Sequence, residues 1–271
     1  MPDGSIIVYL YDGSFDGFLC CADESIRRGE TPEAVLLEDE GQGTLFPQRS
    51  IPSDRKRAAG FIRRVADAMG PDALLLVKRG FLTCLEDREL WLLAFLRLGF
   101  RLGRRVMRRL TDPAVAALTK AVRHLGNETE ALRGFLRFSD LEGVLVAVVE
   151  PKNQVLPLLS GYLTSRYPDE CLLVYDRTHR ACLLCDRGRA RLGYLDEFEP
   201  ALPGRTERNY RALWQSFYEA IAIRERYNPR CRMSHMPKRY WAYMTEFWER
   251  EVYRPEAMSD TEKKDRAELQ P

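Results

Sequence analysis

The stretch SIIVYLYDGSFDG, residues 5–17, decides how the N-terminal part of the chain folds. Its first seven residues are β-branched or aromatic for the most part, which is typical of a buried strand. Asp12 and Gly13 favour a turn, and the hydroxyl of Ser14 can accept a hydrogen bond from a helix amide. We therefore expect a strand that leads through a tight turn into a helix over roughly residues 15–28.

Two short strands and a second helix are predicted next. EAVLLED at 33–39 and TLFPQRSIP at 44–52 have the composition of strands. Ser53 or Asp54 then caps a helix that reaches about residue 69. The first part of the chain thus predicts a β-α-β-β block followed by a helix.

The middle third of the chain predicts helices. The pattern from residue 86 to about 110 is helical, and Asp112-Pro113 is a cap and first-turn pair for a second helix that ends at Gly126. Asn127 and Glu130 resemble a capping box, which predicts a third helix through about residue 138.

A second block of strands follows this helical part. The apolar run at 143–149, the end of a strand near 155 with a helix after it, and a hairpin formed by LLVYD at 172–176 and ACLLCD at 181–186 predict a β-β-α-β-β order. Helices are expected at about 206–226 and 238–251.

These elements predict an α+β fold with mixed sheets, a helical middle third and C-terminal helices. We expect one compact domain over residues 1–254, with two lobes that meet near residue 139 as the alternative, and a disordered tail at 255–271. Tyr210, Leu213, Trp214, Phe217 and Ile221 share one side of the helix predicted at 206–226, and core packing is the favoured interpretation of that side.

Composition restricts the classes of function. The 271 residues carry 42 basic and 40 acidic side chains, so the formal net charge of +2 predicts no global attraction to nucleic acid or membrane. The N-terminus lacks the pattern of a signal peptide, and the most apolar stretch, at 90–100, is interrupted by Arg97 and too short to cross a bilayer. Seven cysteines without framework spacing favour reduced thiols. We expect a cytoplasmic protein. Any binding of a polyanion must come from a local patch of basic residues.

One short segment concentrates positive charge. RLGFRLGRRVMRRL, residues 97–110, contains six arginines and no acid. On one continuous helix, five of them share about a third of the circumference, opposite Leu102, Val106 and Leu110. Three interpretations stay open for this arginine stripe: a solvated face neutralised by the chain's own carboxylates, a site for nucleic-acid phosphates, and a contact for an acidic partner. The stripe residues are Arg97, Arg101, Arg104, Arg105 and Arg108.

Two further regions have a composition that suits nucleic acid. Arg187, Arg189 and Arg191 alternate, so an extended strand would place them on one face. Basic and aromatic residues interleave between 205 and 241, as they do in single-strand binding sites. The residues that would extend a phosphate track, or stack on bases, are Arg230, Arg232, Lys238, Arg239, Tyr227, Tyr240 and Trp241.

Catalytic or metal-binding signals are weak. Asp176 and His179 lie across the turn of the predicted hairpin, and Asp12 lies in the first turn of the chain; these three are the candidates for a catalytic site. For Asp12, a role in the turn and in helix capping is the favoured interpretation. The alternatives are catalysis, and a site at the helix N-terminus where backbone amides bind an anion. His179, Cys182 and Cys185 have the spacing of metal ligands, but on a strand the two cysteines point to opposite faces, so we expect no metal and no cofactor.

Several segments together resemble a bacterial family of probable DNA-metabolism or DNA-repair proteins of unknown function. They are YDGSFDGFLC, ETEALRGFLRFSDLEGVLVAVVEP, SRYPDECLLVYDRTHRACL and LWQSFYEAIAIRERYNPRCRMSHMPKRYW, and the resemblance covers roughly residues 5–250. It implies association with a DNA-repair radical-SAM protein and, in longer members, fusion ahead of a uracil-DNA-glycosylase-like domain. The family pattern has a His-Phe pair where this sequence has Gly161-Tyr162, so any activity of that histidine is absent here.

The resemblance favours the phosphate interpretation of the stripe. We expect a DNA-binding accessory protein of DNA repair, with single-stranded or damaged DNA, a radical-SAM protein and a glycosylase-like protein as partners. An enzyme acting on nucleic acid or a nucleotide, and a protein-interaction adaptor, are the alternatives.

Overall fold

The computed structural model describes residues 7–38 and 45–248. The chain divides into two compact units, of which unit 1 ends at Glu130 and also takes in Lys152–Val155, while unit 2 holds Ala131–Pro151 and the chain from Leu156 onward. The boundary thus lies at 130/131, whereas residue 139 was the predicted meeting point of two lobes. A single domain over 1–254 stays a prediction, and the predicted disordered tail at 255–271 lies outside the described residues.

Unit 1 contains a small parallel sheet with the order β2-β1-β3. The strands are β1 (Val8–Tyr11), β2 (Ala34–Leu37) and β3 (Gln48–Ser50), and β1 pairs with both neighbours in parallel. The central strand β1 is buried along almost its whole length. A strand buried on both faces has the continuous apolar composition that the opening stretch shows.

Five helices begin in this unit, and the last of them ends in unit 2 because the boundary at 130/131 lies within it. They are α1 (Phe15–Arg28), α2 (Arg55–Met69), α3 (Pro71–Phe81), α4 (Arg88–Leu102) and α5 (Pro113–Phe135), with a 3-10 segment at Gly103–Arg108. The predicted caps of α1, α2 and α5 are confirmed: the Ser14 hydroxyl accepts from the Gly17 amide, and the Asp54 and Asp112 carboxylates accept from amides of the first turns that follow them.

Helix α3 is not predicted by the sequence pattern, and α5 is one helix where two were predicted. The run at 73–77 is apolar without a helical period, although Pro71 in the first turn was an available signal. Helix α5 continues through Gly126, so the capping box at Asn127 is wrong. Leu125, Glu128, Thr129 and Leu132 are all buried, and this spacing shows that one packed face runs across the expected break.

Unit 2 contains a five-stranded mixed sheet with the order β4-β5-β6-β7-β8. The strands are β4 (Ser139–Leu141), β5 (Val144–Val149), β6 (Leu172–Asp176), β7 (Ala181–Asp186) and β8 (Arg189–Tyr194). Strands β5 and β6 are parallel and are connected through α6 (Leu156–Arg166), whereas the other neighbours pair antiparallel. The predicted hairpin of β6 and β7 is confirmed.

Two parts of the second block differ from the prediction. Strand β4 precedes β5 and joins it through a two-residue turn, Glu142-Gly143, in which both residues have positive φ. The predicted strand end near Val155 is absent from the described strands. The order of elements here is therefore β-β-α-β-β-β. Both strands before α6 lie ahead of residue 150: β5 is the apolar run, and β4 comes before it in the chain, whereas the prediction had placed the additional strand after the run.

The C-terminal part of unit 2 is helical but more broken than expected. It contains α7 (Arg205–Ala220), α8 (Pro229–His235) and 3-10 segments at Arg224–Arg226, Lys238–Tyr243 and Thr245–Phe247. A helix was predicted at 238–251. Up to residue 248, where the described part ends, the chain instead forms the two 3-10 segments Lys238–Tyr243 and Thr245–Phe247. The mixed α+β architecture, with its helical middle and C-terminal helices, is confirmed. No helix in residues 7–38 or 45–248 combines the length and apolar character needed to cross a membrane.

Candidate nucleic-acid interface

The arginine stripe does not lie on one helix. Helix α4 ends at Leu102, and Gly103 adopts φ 62° and ψ −146°, a conformation open mainly to glycine. A 3-10 helix with three residues per turn then runs to Arg108. The predicted single helical face over 97–110 is therefore wrong, and Leu110, expected to point inward, is 64% exposed.

Arg97 belongs to the interior of unit 1 and not to the exposed stripe. Its guanidinium donates to the carbonyl oxygen of Ser25 at 3.0 Å, to the Ser25 hydroxyl at 2.9 Å, and to the carbonyl oxygen of Glu30. These bonds tie α4 to the C-terminal end of α1. Arg97 therefore leaves the set of candidate phosphate ligands.

The other four stripe residues, and Arg109 beside them, form an exposed cationic surface that we call the basic segment: Arg101, Arg104, Arg105, Arg108 and Arg109. Within the described ranges, none of these five guanidinium groups forms an ion pair with a carboxylate. Val106, fully buried between them, anchors the segment to the core. The backbone is held in place while the charges face solvent.

The 3-10 conformation spaces two of these charges regularly. Arg105 and Arg108 are three residues apart, so they lie one above the other on the segment, separated along its axis by roughly 6 Å. Planar guanidinium groups suit bidentate contacts with phosphate oxygens.

Other arginines of unit 1 show the opposite environment. Asp23 and Glu24 are buried on α1, and they accept from four guanidinium groups. Arg57 donates to both carboxylates at 2.6 Å, and Arg64 donates to Asp23 at 2.7 Å. These positive charges are neutralised inside the chain, so the basic segment holds a local excess that the net charge of +2 does not reveal.

The three arginines predicted on one strand face are divided between a strand and its turn. Arg189 and Arg191 lie exposed on β8, opposite Asp186 and Leu184. Arg187 has φ 46° and forms a two-residue turn with Gly188, so it is not part of the strand. Only Arg189 and Arg191 share a face.

The C-terminal aromatic candidates are mostly engaged within unit 2. Tyr240 is 6% exposed and packs on Phe135 with ring centroids 5.2 Å apart, so it is unavailable for base stacking. Trp241 stacks on Phe247 at 4.4 Å. Tyr227 is 68% exposed and is the aromatic of this group that remains open to a ligand.

The basic candidates of the same region differ in availability. Arg232 lies over the rings of Tyr227, Trp241 and Phe247, and its Nε is buried, so it is an internal cation. Arg230 is exposed on α8. Lys238 and Arg239 are exposed but lie over Trp241 and Tyr240, respectively.

The structure brings together Asp176 and His179. The carboxylate of Asp176, at the end of β6, is almost fully buried and lies 2.6 Å from Nδ1 of His179. Its other oxygen accepts from the His179 amide at 3.1 Å, a bond that also stabilises the turn between β6 and β7. Asp12 belongs to unit 1, where its Oδ1 accepts from the amide and hydroxyl of Ser14. Turn formation is therefore the observed role of Asp12, and its carboxylate takes up the Ser14 amide, one of the donors that an anion at the start of α1 would need.

The spacing of His179, Cys182 and Cys185 does not produce a metal centre. Both cysteines lie on β7, where their odd separation turns them to opposite faces, and only Cys185 is buried in the core. Over residues 7–38 and 45–248, no group of three histidine, cysteine or acidic side chains is arranged to hold a metal ion.

Sequence reasoning missed one polar cleft in unit 1. It has a volume of about 340 Å³ and lies at the carboxyl ends of β1 and β2. The Tyr11 hydroxyl and the Arg88 Nε each donate to Glu89 at 2.8 Å, and burial raises the pKa of Tyr11. Tyr11 and Glu89 are 78 residues apart, so no local pattern predicts this cleft. The available signal was the general rule that binding sites lie at the carboxyl ends of parallel strands.

Fold and site together define an α+β protein with a localised cationic surface. A comparison with family models matches residues 86–246 to the domain of unknown function DUF4130, and the chain belongs to this family. The matched part begins just before α4, so it includes the basic segment but not the parallel sheet of unit 1. Comparisons with curated proteins and with solved structures gave no match.

Proposed function

We propose that this protein binds the phosphate backbone of DNA through the basic segment and serves as an accessory factor in DNA repair. The observation that carries the proposal is the exposure of five arginines within nine residues, without an ion-pair partner among the described residues. The alternative of a face neutralised by the chain's own carboxylates loses support for the same reason. Like charges this close repel one another unless an anion joins them, and phosphates meet that need.

The resemblance to DNA-repair proteins supports the process and the partners. Single-stranded or damaged DNA, a radical-SAM protein and a glycosylase-like protein form part of this proposal. Backbone contacts position a protein on DNA without reading sequence. The basic segment would therefore hold substrate for a partner enzyme whatever its base sequence.

The test is fluorescence anisotropy of labelled single-stranded and duplex DNA at several salt concentrations. Replacing two guanidinium groups, Arg104→Ala with Arg108→Ala, should weaken binding. It should also lower the slope of log K against log salt by roughly 1.8 for duplex and roughly 1.4 for single strands, because two phosphate contacts are lost.

A matched control is Arg27→Ala with Arg28→Ala. It removes the same net charge from α1, but both side chains already meet the Glu24 carboxylate. This variant should retain most of the wild-type salt slope. If both double variants lose the same DNA affinity, the loss is due to net charge and not to the basic segment. If the wild type does not bind DNA near physiological salt, the proposal is wrong.

A second candidate function is an enzymatic one, supported by the Asp176–His179 pair. A buried carboxylate that orients Nδ1 leaves Nε2 to act as a general base, as in hydrolases. The bond from Asp176 to the His179 amide gives the pair a structural role as well, and we expect that role to dominate.

We expect His179→Ala to lower the free energy of unfolding by about 1–2 kcal/mol, because it removes a hydrogen bond to a buried carboxylate, and to leave DNA affinity unchanged. Chemical denaturation and the anisotropy assay measure both effects. The decisive comparison is incubation with oligonucleotides that carry uracil or abasic sites. Turnover by the wild type that His179→Ala and Asp176→Asn both lose would establish the enzyme instead.

A further inference from the structure

Helix α7 is packed with its apolar side outward. Four large side chains of the helix and Ile221, the residue that follows its last turn, share one arc of about 100°. Each is more than a third exposed: Tyr210 61%, Leu213 49%, Trp214 38%, Phe217 53% and Ile221 58%. The favoured sequence interpretation, that this side packs in the core, is wrong.

The opposite side of α7 is polar and buried. Glu207 accepts from the Asp140 amide of β4 at 3.0 Å and from Arg211 at 2.7 Å, and Arg211 donates to the Ser139 hydroxyl at 2.6 Å. Gln215 donates to the carbonyl oxygen of Thr245 at 2.9 Å. These bonds fix the rotation of the helix about its axis. The outward apolar side is therefore a built feature of the fold.

The spacing of the outward side chains matches a helix-pairing seam. Tyr210, Trp214, Phe217 and Ile221 are separated by four, three and four residues, the period at which helices interlock. Leu213 and Ile221 are aliphatic, which favours a protein surface as the ligand, because bases stack on aromatic rings.

The charges of α7 favour a second copy of this chain over a foreign protein. The exposed charged residues of the helix, Arg205, Arg208 and Glu219, project outside the apolar arc. The charges of α7 itself therefore do not oppose each other when the seam meets itself, and Arg137, which lies over Trp214, is paired with Glu246 at 2.6 Å. Partners of different sequence are usually selected by complementary charges, and this seam offers none.

The exposed area is sufficient for a weak dimer. At 150–250 Å² for each aromatic side chain, the exposed parts of the three rings contribute roughly 300 Å². With the exposed parts of Leu213 and Ile221 added, two copies together bury at most about 1,000 Å², the lower bound for a specific interface.

We propose that the apolar side of α7 is the contact surface between two copies of this chain. The helices pair antiparallel about a two-fold axis between Trp214 and Phe217, so that Tyr210 of one copy lies opposite Ile221 of the other. Such an isologous contact uses the same residues on both sides. We expect a weak dimer, with a dissociation constant on the order of micromolar.

The test is sedimentation equilibrium of the full chain over roughly 1–100 μM, the range around that dissociation constant. Phe217→Glu places an unpaired charge in the seam and should weaken dimerisation at least roughly tenfold. Ser216→Glu adds the same charge to the neighbouring residue, which points about 100° away, and should leave the dissociation constant within about twofold. Circular dichroism checks the folding of each variant, and Ile221→Glu replaces Phe217→Glu if the latter is unfolded.

Two outcomes overturn the proposal. The first is a wild-type chain that stays monomeric over the whole concentration range, which assigns this side of α7 to a different protein. The second is an equal weakening of dimerisation by Phe217→Glu and Ser216→Glu, which would show that the apolar side of α7 is not the contact surface. Neither outcome affects the DNA-binding proposal, because that one is measured on variants of unit 1.

Discussion

At the scale of single residues, the same side chain has different roles according to its neighbours. Arg57 and Arg64 neutralise two buried carboxylates, Arg97 donates to backbone oxygens, and Arg104 has no carboxylate partner among the described residues. A buried carboxylate is costly unless hydrogen bonds and opposite charge compensate it. The arginines that serve Asp23 and Glu24 are thus occupied, and those of the basic segment are available to a ligand.

Glu24 gives this region a pH dependence. Hydrogen bonds from Arg28 foremost, with those from Arg57 and Arg27, lower its pKa to about 2 against the opposing effect of burial. Because the folded pKa lies below the unfolded one, the stabilisation is complete above about pH 5 and is lost as the pH falls toward 2. Glu24→Gln should lower the free energy of unfolding at pH 7 by about 2 kcal/mol and flatten its decline in acid.

Denaturant unfolding at pH 7, 5 and 3 measures this. Glu33→Gln, on an exposed carboxylate nearby in sequence, is the control and should follow the wild type. If Glu24→Gln declines in acid as steeply as the wild type, Glu24 is not the source of the pH dependence.

At the scale of elements, two glycines decide how α4 is used. At Gly99, a side chain would collide with Met69 of α2, because an ideal Cβ there would lie 1.9 Å from the methionine Cε. The two helices can therefore approach closely. At Gly103, the positive φ ends α4 and starts the 3-10 segment that carries most of the basic segment. Gly99 and Gly103, which weaken the helical pattern of the sequence, thus determine where the arginines of the basic segment lie.

Gly103→Ala should lower the free energy of unfolding by about 1–3 kcal/mol, since an alanine is strained at φ 62° and its Cβ would lie 3.4 Å from the carbonyl oxygen of Ala68. Gly60→Ala is the matched control on an exposed position of α2 with open space around it, and should raise stability by up to about 1 kcal/mol. Thermal and denaturant unfolding give both values. A neutral Gly103→Ala would show that the turn after α4 does not require glycine.

At the scale of the whole molecule, the two units hold different candidate surfaces. Unit 1 contains the basic segment, and unit 2 contains the outward apolar side of α7. The four residues 152–155 join unit 1 because the buried Glu128 accepts from the amides of Lys152 and Asn153, while Asn153 accepts from the Cys84 amide at 3.0 Å. If both proposals hold, a dimer carries two basic segments, and long DNA that engages both is bound more tightly than by one.

The sequence by itself determined the local structure. The hydroxyl of Ser14 and the carboxylates of Asp54 and Asp112 predicted where α1, α2 and α5 begin, because a cap depends on atoms only two or three residues away. The α+β class and the hairpin of β6 and β7 followed from composition and period for the same reason. The concentration of arginines in 97–110 was visible directly.

Tertiary structure alone decided which side of each element faces the core. Periodicity shows that Tyr210, Trp214 and Phe217 share a side, but that side is turned outward because the buried Glu207 accepts from the Asp140 amide and the buried Gln215 donates to Thr245. Likewise, contacts with Ser25 and Glu30, more than sixty residues away in sequence, withdraw Arg97 from the stripe. A pattern along one element is fixed by its own residues, whereas its orientation depends on the packing and polar contacts that distant elements provide.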